Sequence, residues 1–216
     1  MKVVIIGGRG NGTVIASTIE DCKKIGMDIE CVGFLNDSEM FINEYPVLGP
    51  IMGNFWETLP MDYMFVYAMS NVQQAHERFE LLKSLGIPEE RYATIIHPTA
   101  VVSDKAELGV GVVLMPFTLV SPNVRIGNHS QMYAQSFIGH DSELKEMVFV
   151  ANNASIGGRV VVKNGAHIGS NSSILERNVI GAFSIIGLAS NVLKSTEPFG
   201  VYVGSPAKQI KKIKFK

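Results

Sequence analysis

Every sixth residue from Ile96 to Val192 is aliphatic or methionine: Ile96, Val102, Leu108, Leu114, Val120, Ile126, Met132 and onward, seventeen positions without a break. A period of six fits neither the 3.6-residue turn of a helix nor the two-residue alternation of an ordinary sheet. It is the hexapeptide pattern of a parallel β-helix, in which each hexad supplies a short strand and a turn. Three hexads close one triangular coil. Residue i is then expected to stack on residue i+18, with stacked backbones about 4.8 Å apart. Small or β-branched residues stand two places before most ladder positions, among them Ala100, Ala106, Thr118, Ser130 and Ala154. Gly109, Gly127, Gly139, Gly157, Gly169, Gly181 and Gly187 each follow a ladder residue. Glycine is expected there because a corner asks for backbone angles that other residues resist. Each buried ladder side chain contributes roughly 1.5–3 kcal/mol. The ladder builds a rod, and chemistry must come from what the rod carries outside.

The first 93 residues follow a different pattern. Lys2–Ile6 reads as a buried parallel strand, Thr13–Ile25 as a helix with Gly26 as its stop signal, Ile29–Leu35 and Tyr63–Met69 as further strands. Asn71 is placed to cap a helix reaching Leu85, with Gly86 and Pro88 beyond its end. This order predicts a βαβ arrangement around a small parallel sheet. The expected fold class is therefore an α/β half over residues 1–93, followed by an all-β parallel β-helix with a C-terminal tail over 94–216.

Gly7, Gly8, Gly10 and Gly12 lie between the first strand and the first helix. Such a loop lets backbone N–H groups meet a phosphate at the helix N-terminus. The dinucleotide fingerprint requires a third glycine where this chain has Thr13. The half is also too short for two mononucleotide units. One nucleotide diphosphate group is the expected guest, and a tight strand–helix turn without a ligand is the alternative.

Net charge is −1 over 216 residues, which provides no global field for nucleic acid. Cys22 and Cys31 form neither a disulfide framework nor a zinc spacing. No apolar run approaches the roughly 18 residues of a bilayer span, and the start lacks a signal-peptide layout. A cytoplasmic protein without membrane insertion or nucleic-acid partner is expected.

Of the five histidines, only His140 follows a corner glycine and precedes a carboxylate, in Gly139-His140-Asp141. It stands two places beyond the ladder residue Ile138, so its ring should project outward. An imidazole titrates near neutral pH and can accept a proton from an attacking group. A neighbouring carboxylate can orient the ring and stabilise its charged form. Asp141 also lies 18 residues before Arg159, so it can instead pair with that arginine and serve the rod. His97 is expected to be structural, His167 to lie on a flat outer face, and His129 to be exposed. His129, His140 and His167 are not spaced by multiples of 18, so no metal site is expected from them.

Four stretches carry a resemblance: "IIGGRGNG", "GFLND", "IGHDSEL" (Ile138–Leu144) and "VYVGSPAKQI" (Val201–Ile210). With the hexad ladder, the chain resembles the left-handed β-helix acyltransferases. Within them it is similar to the family of sialic acid O-acetyltransferases and N-acetyltransferases of nucleotide-linked 4-amino sugars. That resemblance implies a left-handed coil, a Rossmann-like nucleotide-sugar-binding half, and a homotrimer with active sites between neighbouring subunits. It also implies acetyl-CoA as co-substrate and no permanently bound cofactor. Residue by residue, it makes His140 the general base and Asp141 its acidic neighbour. Gly8, Arg9, Gly10, Asn11, Asn36, Asp37 and Ser70 match nucleotide-sugar positions. Phe149, Gly158, Ser170 and Leu188 match acetyl-CoA positions. Asn36 departs from the family's acidic residue, and Asn11 and Phe149 stand where some relatives carry histidine. Met69 stands where relatives often have glycine. Lys208, Lys211, Lys212, Lys214 and Lys216 either meet CoA phosphates or form a solvated basic end.

The expected activity is acetyl transfer to the 4-amino group of a nucleotide-linked 4-amino-4,6-dideoxyhexose. The alternative is O-acetylation of sialic acid or a related sugar. A non-catalytic trimeric nucleotide-sugar sensor is a third possibility.

Overall fold

A computed structural model describes residues 1–213. The chain folds as an α/β half followed by a left-handed parallel β-helix. In the first half, β1 (Lys2–Ile6), α1 (Asn11–Lys24), β2 (Glu30–Leu35), β3 (Phe41–Ile42), β4 (Tyr45–Gly49), β5 (Tyr63–Tyr67) and α2 (Ala75–Ser84) follow in that order. The sheet order is β3-β4-β2-β1-β5, with β1 parallel to both β2 and β5. Val3–Ile6 are fully buried because helices cover both faces of the sheet. One face packs Val3 and Ile5 against Ile15 and Ile19 of α1, and the other packs Val4 and Ile6 with Phe79 and Leu82 of α2.

Both helices start elsewhere than the sequence pattern suggests. α1 opens at Asn11 rather than Thr13, because Gly10, at φ 82°, turns the chain directly into the helix. α2 opens at Ala75, not after Asn71: the Asn71 Oδ1 accepts from the Gln73 and Gln74 amides and holds a turn ahead of the helix.

From Ile95 to Val192 the rod is a run of two-residue strands whose second member is the ladder residue. The registers are parallel and 18 residues apart, as in Phe137↔Ser155 and Ile138↔Ile156. Each strand thus joins one of three flat faces. The first face runs through Val113–Leu114, Gln131–Met132, Phe149–Val150 and His167–Ile168. The second runs through Leu119–Val120, Phe137–Ile138, Ser155–Ile156 and Ser173–Ile174. The third runs through Arg125–Ile126, Glu143–Leu144 and Val161–Val162. Inside, ladder residues from Leu114 to Val192 form one apolar column, with Ile138, Ile156 and Ile168 at 0% exposure. A final antiparallel pair, Gly200–Val203 and Lys208–Lys212, caps the first face through Ile185↔Val201.

The corner glycines serve another purpose than the expected one. None of Gly109, Gly127, Gly139, Gly157, Gly169, Gly181 and Gly187 has positive φ. The left-handed residues stand three places beyond the ladder position, as at Asn123 (φ 61°), Asp141 (φ 60°), Asn153 (φ 57°) and Arg159 (φ 58°). The glycines are needed for space: a β-carbon on Gly139 would lie 2.6 Å from the Gly157 carbonyl carbon in the next coil. Coils stacked at strand spacing leave no room for a side chain at that point.

The α/β half docks on the first face of the rod. Gln131 Nε2 donates to the Tyr67 carbonyl at 2.7 Å, and Tyr133 Oη donates to Asn11 Oδ1 at 2.7 Å. Val113, Met115 and Tyr133 share an apolar cluster with Ile15 and Phe34, so one core crosses between the two halves.

Candidate functional site

Asp141 sits at the left-handed corner position between the second and third faces, with His140 beside it. An aspartate tolerates that backbone conformation better than most residues, so a carboxylate is a natural occupant. Its Oδ2 lies 2.8 Å from His140 Nδ1 and 3.7 Å from Arg159 Nη2. Its Oδ1 accepts from Asn123 Nδ2 at 2.9 Å. The hydrogen bond from His140 is the main reason the Asp141 carboxyl is held below its ordinary range, with Asn123 adding to it. Both sequence alternatives for Asp141 are thus realised at once, and the histidine contact is the shorter. An ionised Asp141 accepts, so Nδ1 of His140 carries the proton and Nε2 is the open acceptor.

The ring projects outward as expected, with its side chain 52% exposed. It lies across Gly158 in the next coil, where a β-carbon would come within 2.7 Å of Nε2. His140, Asp141 and Gly158 are therefore one constellation. Ser170 and Leu188 are not part of it within one chain. They follow the ladder residues Ile168 and Ile186 at the edge between the first and second faces. Phe149 is placed elsewhere again: on the first face it packs on Tyr133 at 4.6 Å and stacks on His167 at 4.8 Å and 7°.

The glycine loop borders a second candidate site. Gly8, Arg9, Asn11 and Ser70 border one open depression of ≈ 180 Å³, together with Met69, Asn71 and Arg78. Asn11 Nδ2 donates to the Ser70 carbonyl at 3.0 Å, tying the loop to the end of β5. Arg9 pairs with Glu39 at 2.8 Å and donates to Asn43 at 3.1 Å. Gly10, with positive φ, forms the entry to α1. Asn36 lies behind the loop: it donates to the Gly7 carbonyl, while its Oδ1 accepts from Ser38 and the Glu39 amide. Asp37 Oδ1 accepts from the Ile51 amide. Both side chains thus brace the end of β2.

No sequence motif marks Arg78 as a neighbour of the glycine loop. It lies 70 residues from Gly8, in a stretch whose only local signal is a helix. A second groove, of ≈ 470 Å³, lies between α1 and the rod, bordered by Thr13, Ser17, Asn43, Pro116, Tyr133 and Asn152. Tyr133 too carried no signal beyond following a ladder residue.

His129 is not exposed. Its ring packs on Tyr92 at 4.4 Å, its Nδ1 is buried, and desolvation lowers its pKa to about 4. The turn that would present it to solvent is covered by the docked half. His97 is buried, with Nδ1 2.8 Å from Thr99 Oγ1, in keeping with a structural role. His167 lies on the flat first face, where burial lowers its pKa to about 4. Among the described residues no cluster of three metal-ligand side chains occurs, and no helix is long and apolar enough to cross a membrane. Lys208, Lys211 and Lys212 are exposed on the final strand, while Lys214 and Lys216 lie outside the described residues.

Residues 2–82 match the PglD N-terminal domain. The whole chain has the fold of several solved acetyltransferase structures. It superposes on the acetyltransferase domain of PglB from Neisseria gonorrhoeae FA1090 with a TM-score of 0.83 at 22% identity, covering 97% of this chain and 99% of that one. A histidine-to-asparagine variant of perosamine N-acetyltransferase from Caulobacter crescentus, in complex with CoA and GDP-perosamine, gives 0.83 at 22% identity over 98% of each chain. WeeI from Acinetobacter baumannii AYE gives 0.79 at 23% identity, over 97% of this chain and all of that one. The PglB domain is also known in complex with acetyl coenzyme A.

Proposed function

We propose that this chain is a sugar N-acetyltransferase. It moves acetyl from acetyl-CoA to the 4-amino group of a nucleotide-linked 4-amino-4,6-dideoxyhexose, without a covalent enzyme intermediate. The observation that carries the reading is the Asp141–His140 pair with its open Nε2 above Gly158. The neutral amine attacks the thioester carbonyl, and His140 Nε2 takes the proton that the new amide sheds. CoA leaves as thiolate and receives that proton from the imidazolium. Such a base contributes about 10²–10⁴-fold. The nucleotide is held at the loop of Gly8, Arg9, Gly10 and Asn11 with Ser70, the helix N-terminus and Arg78 facing its phosphates. Asn36 and Asp37 act by shaping that loop. The domain division follows: residues 1–93 bind the nucleotide sugar, and residues 94–216 carry the acyl transfer.

The active form is a homotrimer. The α/β half covers the first face of the rod, opposite the edge that carries His140, so one chain cannot bring its own nucleotide site to its own base. The second face, next to His140, shows stacked apolar residues Val101, Leu119 and Phe137, which are 62%, 39% and 38% exposed. Packing that face against a neighbour sets the His140 edge of one chain beside the Ser170–Leu188 edge of the next. Acetyl-CoA then lies in that seam, with Phe149 lining its acceptor side.

The GDP-perosamine complex of a protein with the same fold favours an amine acceptor over a hydroxyl. An acceptor panel with thiol-release detection tests this. Release with nucleotide-linked 4-amino sugars, and not with sialic acid, is expected. Release with sialic acid alone would replace the reading by O-acetylation, and binding of nucleotide sugars without release under any pairing would make the chain a sensor.

A further inference from the structure

Asn123, Asp141 and Arg159 stack at 18-residue spacing along the edge that carries His140, all three in the left-handed conformation. The backbone fixes this column: the Asp141 amide donates to the Pro122 carbonyl at 3.1 Å, and the Arg159 amide donates to the His140 carbonyl at 2.8 Å. One carboxylate thus faces three donors. Asn123 takes Oδ1 from the coil before, at 2.9 Å. His140 and Arg159 share Oδ2, at 2.8 and 3.7 Å.

We propose that Asn123 is a positioning residue for the base: by occupying Oδ1 of Asp141 it reserves Oδ2 for His140 and fixes the proton on Nδ1. The argument is one of competition. A guanidinium takes a carboxylate in two parallel hydrogen bonds when both oxygens are open to it. With Oδ1 engaged by Asn123, Arg159 is confined to one long contact. Without Asn123 the carboxylate is free to turn about its Cβ–Cγ bond and offer both oxygens to Arg159. His140 Nδ1 then loses its partner, and the ring can carry its proton on Nε2, the nitrogen above Gly158. That tautomer cannot accept a proton from an acceptor on that side. Asn123 touches no reacting atom, and its effect passes through Asp141.

The proposal rests on the acetyl-transfer reading for its catalytic meaning, but its test does not. The full chain labelled with nitrogen-15 in histidine is measured without substrate, at a pH where His140 is neutral. In the wild type the His140 signals should report the Nδ1–H tautomer. Asn123→Gly keeps the φ of 61° easily and removes the side chain. It should give a mixture with substantial Nε2–H tautomer, together with a fall in kcat of about tenfold and little change in KM. Adding Arg159→Ala to Asn123→Gly removes the competitor and should restore the Nδ1–H signal, which a purely structural role for Asn123 does not predict. A fully retained Nδ1–H tautomer in Asn123→Gly overturns the proposal. So does a mixed tautomer that the second substitution fails to correct. If the tautomers behave as described but the wild type transfers no acetyl group to any sugar, the functional reading fails and the positioning role stands.

Discussion

A β-carbon on Gly158 would stand 2.7 Å from Nε2 of His140, so the imidazole rests on a residue that has no side chain to offer. The atom at risk belongs to a half-exposed ring, which can swing away, rather than to fixed backbone. Gly158→Ala should therefore leave the fold intact and displace the imidazole. Acetyl-CoA turnover is expected to fall by at least tenfold, within the range a general base contributes, with a thermal midpoint close to that of the wild type. Unchanged turnover would mean that the open side of the ring faces elsewhere.

His140→Ala removes the proposed base. A loss of about 10²–10⁴-fold in turnover is expected. Nucleotide-sugar affinity, read by the thermal shift that a bound ligand produces, should hardly change, because in the proposed arrangement the glycine loop holds the nucleotide and only the sugar amine reaches His140. A parallel loss of affinity would place His140 in the binding site instead of the transfer site.

The ladder makes a sharper structural prediction. Gly127 has ordinary backbone angles, yet a β-carbon there would meet the Lys145 carbonyl carbon at 2.7 Å. Gly127→Ala should cost about 1–3 kcal/mol from forced separation of the coils. Asn153→Gly, at φ 57° on the exposed edge, should stay within about 0.5 kcal/mol of the wild type. Denaturant midpoints of the two variants decide whether glycine serves this rod by absent volume or by backbone freedom.

That distinction marks where the sequence was legible. The hexad ladder gave the rod, its 18-residue register and the outward set of His140, because a strict period leaves the chain one way to bury its apolar residues. Gly139-His140-Asp141 was legible for the same reason: register turns neighbours in space into neighbours by arithmetic. Asp141 beside Arg159 was readable by that rule, and Asn123 lay at the same spacing on the other side. The α/β half has no such arithmetic. Tyr133 against Asn11 and Gln131 against Tyr67 depend on how two separately patterned pieces dock. The same docking buries His129, which local sequence placed in solvent. Arg78 reaches the glycine loop only through the fold of the sheet.

Tyr133 joins the two halves through one hydroxyl, donated to Asn11 at 2.7 Å, while its ring packs on Phe149. Tyr133→Phe keeps the ring and leaves Asn11 Oδ1 without that donor. A loss of about 1 kcal/mol is expected, or a fall of roughly 2–4 °C in the thermal midpoint of a chain this size. Because Asn11 also holds the Ser70 carbonyl, KM for the nucleotide sugar should rise while KM for acetyl-CoA stays put. An equal rise in both would place Tyr133 in the proposed seam between subunits.

His129 and His167 set the acid side of stability. Burial lowers both to about 4, below the ordinary value of 6.5 that the unfolded chain retains. Between those limits the unfolded chain binds more protons than the folded one, so stability falls as pH drops from about 6.5 to about 4 and then levels off for these two groups. Each contributes a slope of up to about 1.4 kcal/mol per pH unit in that window. The carboxyls of Asp21, Asp141 and Glu143, all held low by hydrogen-bonded partners, act in the same direction at more acid pH, as the pH falls through their lowered values. His167→Phe preserves the stack on Phe149, at 4.8 Å in the wild type, and removes one titrating ring. Urea midpoints measured from pH 7 to pH 4.5 should fall less steeply in that variant than in the wild type. Curves that stay parallel across the window would show that the His167 ring takes up its proton in the folded chain as readily as in the unfolded one.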